Sequence, residues 1–107
     1  PRLVAISAGF DAYRDDGLAN MMLTERFYFI FGAYLRSLSK LGIGIAAILE
    51  GGYTHGLFYG LPSMLKGFME YNEDYLEKAL SSTNPKSGTV KVVEELIRIL
   101  EKYHVLN

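Results

Sequence analysis

Two short apolar runs, Leu3 to Ser7 and Ile43 to Leu49, show no polar alternation, and the stretch between them is long enough for one helix. A strand that is apolar on successive residues is one covered on both faces, as the central strands of parallel sheets are. Parallel neighbours cannot be joined by a tight turn; they need a crossover. Thr24 is placed to cap a helix with Glu25 in its first turn, and Gly42 supplies a stop after Lys40. These segments predict one βαβ unit, right-handed by the general rule, and an α/β fold with a mainly parallel sheet flanked by helices.

The crossover helix is apolar nearly all round. Phe27, Tyr28, Phe29, Ile30, Phe31, Ala33, Tyr34 and Leu35 cannot all face one sheet, so part of that surface calls for a second partner. Further on, Leu57, Leu61, Met64, Leu65, Phe68 and Met69 mark one face of a helix ending near Tyr71, with Pro62 placed to kink it or reset its start. The methionines read as gap-filling core. A short helix around Asp74 to Leu80 is expected next, then a solvated loop over 81–88. The last helix, Thr89 to about Tyr103, has an apolar stripe of Val90, Val93, Leu96, Ile97 and Leu100, with Glu94 and Arg98 spaced as an ion pair.

Length and charge narrow the function classes. At 107 residues, half of them hydrophobic, the chain reads as a single α/β unit over 1–107. A net charge of -1, with eleven scattered basic residues, offers no footprint for a nucleic-acid backbone or an anionic membrane. The longest apolar stretch, Phe27 to Leu35, falls far short of the roughly 20 residues that span a bilayer. There is no cysteine, so carboxylate and imidazole are the strong metal ligands left. A cytoplasmic protein is the expectation.

The residues able to do chemistry follow the two strands. Asp11 comes just after the first, where its carboxylate leaves the carboxyl end of the sheet, the edge at which open α/β sheets bind ligands. On position alone, closing a turn or capping a helix is the better reading. Tyr53 follows Gly51 and Gly52, which allow a sharp turn and a close approach to a ligand. Its hydroxyl suits an oxyanion, or, as for the other seven tyrosines, a nearby carbonyl. Arg14, Asp15 and Asp16 read as a solvated, salt-bridged loop without a chemical role. His55 reads as a surface or rim residue, and His104 as a complement to a helix dipole. Glu50 is expected to hold its loop through backbone hydrogen bonds.

The string SAGFDAYRDDGLA, followed by Leu23-Thr24, resembles the metal-binding segment of the zinc-dependent histone deacetylase family, and Leu49-Glu50-Gly51-Gly52-Tyr53 resembles its tyrosine motif. The form is that of class II enzymes and of acetylpolyamine and acetoin-utilisation proteins. Tyr13 stands where many relatives have histidine, and Gly17 where they usually have proline. The resemblance implies an arginase/deacetylase-like α/β/α domain, with Asp11 as one of three protein ligands to zinc and Tyr53 as the donor to the substrate carbonyl. It also implies that Gly51 contacts the substrate amide and that Leu18 lines the mouth of the acyl-lysine tunnel.

The family's other two ligands and its histidine pair have no matching motif here. The chain is therefore expected to be the C-terminal part of a catalytic domain: a fragment, a split reading frame or a processed product. Alone it should bind zinc poorly and be inactive. The expected partners are an acetylated amine substrate, the missing N-terminal part or another chain supplying it, and further copies of itself. The alternative is a non-catalytic α/β subunit that assembles through its aromatic helix. A weaker one gathers several Asp11 and His55 side chains into a metal site by oligomerisation.

Overall fold

The computed structural model describes residues 1–103. Strand β1 (Leu3–Gly9) leads through a loop to helix α1 (Glu25–Lys40) and strand β2 (Gly44–Gly51). A π-helical turn (Gly56–Gly60) runs directly into α2 (Leu61–Met69), followed by α3 (Glu73–Ser81) and α4 (Ser87–Leu100). The strands pair in parallel, Leu3 opposite Gly44 through Ala8 opposite Leu49, as the apolar runs predict. At the carboxyl end the register slips, placing Gly9 opposite Gly51 and leaving Glu50 as an extra residue.

Alternation along the strands decides which residues enter the core. Ile6 and Ala8 pack with Tyr28, Leu35 and Met64 of α1 and α2. On β2, Ile45 and Ala47 share a cavity wall with Leu35, Met64 and Phe68. Both helices therefore lie on one face of the sheet. The expectation of strands covered on both faces is not met among the described residues: Leu3 and Ile48, on the other face, are each 60 % exposed. The strands carry apolar side chains for two layers, and these helices supply one.

Helices α1 and α2 meet closely because each sets a glycine against the other's backbone. A Cβ on Gly32 would lie 1.9 Å from the Met64 carbonyl oxygen, and one on Gly67 1.9 Å from that of Phe29. So part of α1's all-round apolar surface is met by α2. Its outer side, with Phe27 and Tyr34, stays largely exposed.

Thr24 starts α1 with its carbonyl, which accepts the Phe27 N–H at 3.0 Å, but its hydroxyl makes no cap bond. Pro62 falls where π-helical winding gives way to α2, the reset expected of it. Asn72 caps α3 by accepting the Tyr75 N–H at 2.9 Å. The loop expected over 81–88 is shorter, since α3 includes Ser81 and α4 begins at Ser87. Among the described residues α4 packs against no other element, and no ion pair joins Glu94 to Arg98; Arg14–Glu25, at 3.9 Å, is the pair that forms. An exposed pair gains little over hydration, so its absence costs α4 little. His104 lies outside the described residues. No described helix is long and apolar enough to cross a membrane.

Candidate active site at the carboxyl end of the sheet

Asp11 begins the loop after β1, beside the last residue of β2. The ladder continues one step past β1, with the Phe10 N–H donating to the Gly51 carbonyl at 3.0 Å. That bond ties the start of one loop to the start of the other. The Asp11 carboxylate is half-buried and rests against glycine: a Cβ on Gly9 would come within 3.1 Å of Oδ1, and one on Gly51 within 3.9 Å. Among the described residues no side chain hydrogen-bonds to this carboxylate.

Gly52 decides how the loops fit. Its φ of +72° is a left-handed conformation that glycine adopts without penalty. A Cβ there would also lie 2.2 Å from the Asp11 nitrogen and from the Phe10 carbonyl carbon. Gly56 sits against the Phe10 carbonyl in the same way, its Cβ position 2.1 Å from that oxygen. Phe10, 1 % exposed, is thus a post around which the second loop is wound. Sequence reasoning assigned the paired glycines to approaching a ligand; in the structure Gly52 approaches the backbone that carries Asp11.

Tyr53 stands at the same sheet edge, 59 % exposed. Its hydroxyl donates to the Glu50 carbonyl at 2.6 Å, an acceptor freed by the slip in strand register. A phenol has one proton to give. Serving an oxyanion would therefore require this short local bond to be exchanged. Glu50 does hold its loop: besides that carbonyl, its carboxylate accepts the Ser7 hydroxyl at 3.1 Å. Leu18 is 79 % exposed and packs into no core. His55 is exposed and stacks on Tyr59, ring centroids 6.2 Å apart.

Two residues of the first loop do more than the sequence suggested. Tyr13 is buried, stacked between Tyr28 and Tyr59, and its hydroxyl donates to Glu25 at 2.5 Å. Burial, then the bond to Glu25, pushes its pKa up, while the same bond holds the Glu25 carboxyl below its ordinary value. Asp16, read as solvated, has one oxygen accepting the Thr54 hydroxyl at 2.6 Å and the other buried without a partner. The signal for it was present but not specific: a turn-forming Asp-Asp-Gly whose Asp15 takes φ +64° and Gly17 φ +89°. Burial, then the charges of Asp11 and Asp16, raises the pKa of Tyr28.

Residues 1–65, which hold both strands and both loops, match the model of the histone deacetylase domain. The chain belongs to that family. Relatives of this deacetylase-family chain include an uncharacterized protein of Methanocaldococcus jannaschii, 41 % identical over 96 % of the chain and 29 % of the relative. A probable deacetylase of Methanothermobacter thermautotrophicus is 42 % identical over 50 % of the chain and 15 % of its own length. The histone deacetylase HDA1 of Saccharomyces cerevisiae is 31 % identical over 96 % of the chain and 14 % of its own length. The chain thus spans less than a third of each of these relatives. No solved structure matches it.

A structural or catalytic zinc needs three or four protein ligands. Among the described residues no three histidines or carboxylates cluster closely enough to hold a metal ion. Asp11, glycine-flanked and free of competing side-chain donors, suits one ligand position. The deacetylase-family residues present fit a contribution to a metal site, not a whole one.

Proposed function

We propose that this chain is part of a zinc-dependent deacetylase that hydrolyses acetyl-amide bonds of the acetyl-lysine or acetylpolyamine type, and that it is inactive by itself. Asp11 is the metal ligand it contributes, Tyr53 the donor to the developing oxyanion, Gly51 a backbone contact to the substrate amide, and Leu18 a wall of the substrate entrance. The observation that carries this reading is the Phe10–Gly51 hydrogen bond, which brings the two loops together at the carboxyl end of adjacent parallel strands. Zinc, when bound, polarises the acyl carbonyl and makes a water nucleophilic near neutral pH.

The chain's own residues have simpler tasks. Asp11 presents an uncompensated carboxylate as a ligand. Tyr53 turns its proton from the Glu50 carbonyl to the substrate oxygen as negative charge grows there. The remaining ligands and the groups that move protons come from the rest of the domain or from a partner chain. The test is complementation: co-expression with the segment of the Methanocaldococcus relative that this chain does not match, followed by an acetyl-amide hydrolysis assay. Tyr53→Phe is expected to lower kcat by about 10²- to 10³-fold, and Asp11→Ala to abolish metal-dependent activity. Full activity in both variants refutes the reading.

A second reading has its own support. The outer side of α1 and the stripe of α4 are exposed and apolar, as in a non-catalytic subunit that assembles through them. Zinc bound by the complemented complex, and lost with Asp11→Ala, favours the enzyme; a stable assembly that takes up none favours the subunit.

A further inference from the structure

Asp16 is built into the fold in a way a solvated loop acid is not. The backbone turns left-handed on both sides of it, at Asp15 and at Gly17. A non-glycine residue adopts that region at a cost, even one as tolerant of it as aspartate, and such a conformation persists where surrounding contacts hold it. Two contacts do so: the Asp16 N–H donates to the Tyr13 carbonyl at 3.2 Å, and its Oδ2 accepts the Thr54 hydroxyl at 2.6 Å. The second is the side-chain bond that runs from the loop of Asp11 to the loop of Tyr53, and it lands on the residue next to Tyr53.

The ring of Tyr53 is mostly exposed, so packing alone does not fix it. In the structure its hydroxyl is also held by the Glu50 carbonyl at 2.6 Å; once that bond is exchanged for a substrate, the backbone at residues 52–54 is what directs the ring. Gly52, packed against the Phe10–Asp11 backbone, holds the near end of that segment, and the bond to Thr54 adds a side-chain tie just past Tyr53. Charge strengthens the grip, since a hydroxyl bonded to a carboxylate is held more firmly than one bonded to a neutral acceptor.

We propose that Asp16 is a positioning residue for Tyr53, acting through the Thr54 hydroxyl to fix where the phenol can reach. This rests on the role given to Tyr53 above, and two readouts separate the failure of one from the failure of the other. The first needs no activity: amide hydrogen exchange at Phe58, whose N–H donates to the Thr54 carbonyl at 3.2 Å, in the 107-residue chain. Asp16→Ala and Thr54→Val are each expected to speed it about tenfold, with the double variant no faster than either single one. Unchanged exchange in the single variants, or fully additive effects, overturns the proposal.

The second readout is kinetic, in the complemented enzyme. Thr54→Val should lower kcat about tenfold with KM unchanged, because a misdirected donor weakens only the transition state. Thr54→Ser, which restores the hydroxyl, and Asp16→Asn, which keeps an acceptor, should recover most of the rate. Unaltered kcat in Thr54→Val refutes positioning even if Asp16→Ala fails to fold. Should Tyr53→Phe keep full activity while the exchange effects stand, the catalytic reading falls and the Asp16–Thr54 restraint survives it.

Discussion

Tyr28 lies where the chemistry of the sheet edge meets the core. Its ring packs on Phe10 at 5.2 Å, and its hydroxyl reaches the Phe10 carbonyl only at 3.5 Å, the outer limit of a hydrogen bond. Burial, then the negative charges of Asp11 and Asp16, raises its pKa, with the buried Tyr13 adding to the effect. A group whose pKa is higher in the fold than in the unfolded chain contributes fully below the unfolded value and loses that contribution as pH climbs through the folded one. Tyr28 should therefore make the protein alkali-sensitive above the ordinary tyrosine value of about 10. Thermal unfolding followed by circular dichroism between neutral pH and pH about 11 is expected to show a smaller alkaline loss for Tyr28→Phe than for the parent. At neutral pH the same variant should lose less than about 1 kcal/mol, because the hydroxyl's bond is long. An identical alkaline slope in both proteins would contradict this account.

Among the elements, the α1–α2 contact carries the most specific packing. Gly32 and Gly67 each face a carbonyl of the opposite helix at a distance that leaves no room for a methyl group. Alanine would normally improve a helix by about 1 kcal/mol over glycine. At Gly67 the added carbon would meet the Phe29 carbonyl at 1.9 Å, and backbone cannot swing aside as a side-chain tip can. Overpacking costs about 1–3 kcal/mol, so the clash outweighs the propensity. Gly67→Ala is expected to lower the melting temperature by several degrees, at about 4–8 °C per kcal/mol for a domain this size. Gly88, in the first turn of α4 with nothing within 4 Å of its Cβ position, supplies the contrast. Gly88→Ala should leave the melting temperature unchanged or slightly higher, and an equal loss at both sites would refute the packing argument.

At the scale of the whole molecule, apolar surface remains uncovered. The sheet face bearing Leu3 and Ile48, the outer side of α1, and α4 all present large hydrophobic side chains to solvent. Surface of this kind marks an interface or an association hazard. The purified chain is expected to self-associate and to bind a hydrophobic dye strongly, both read by sedimentation and fluorescence. Both effects should diminish when the complementing segment of the Methanocaldococcus relative is co-expressed. A monodisperse monomer with little dye uptake would show that these faces are tolerated as they stand.

The sequence by itself determined most of the elements and where the two candidate loops leave the strands. Short apolar runs bounded by turn signals read as buried strands, a helix-length insertion between them allows the parallel pairing that forms, and the Ser7–Asp11 and Leu49–Tyr53 motifs then fall at one sheet edge. These are local or short-range consequences of side-chain periodicity and backbone stiffness. Tertiary structure alone decided that both helices share one sheet face, that Gly52 and Gly56 interlock with Phe10, and that Asp16 grips Thr54 across 38 positions of sequence. Such contacts depend on how two separately turned loops meet, and no pattern within either loop encodes the distance between them.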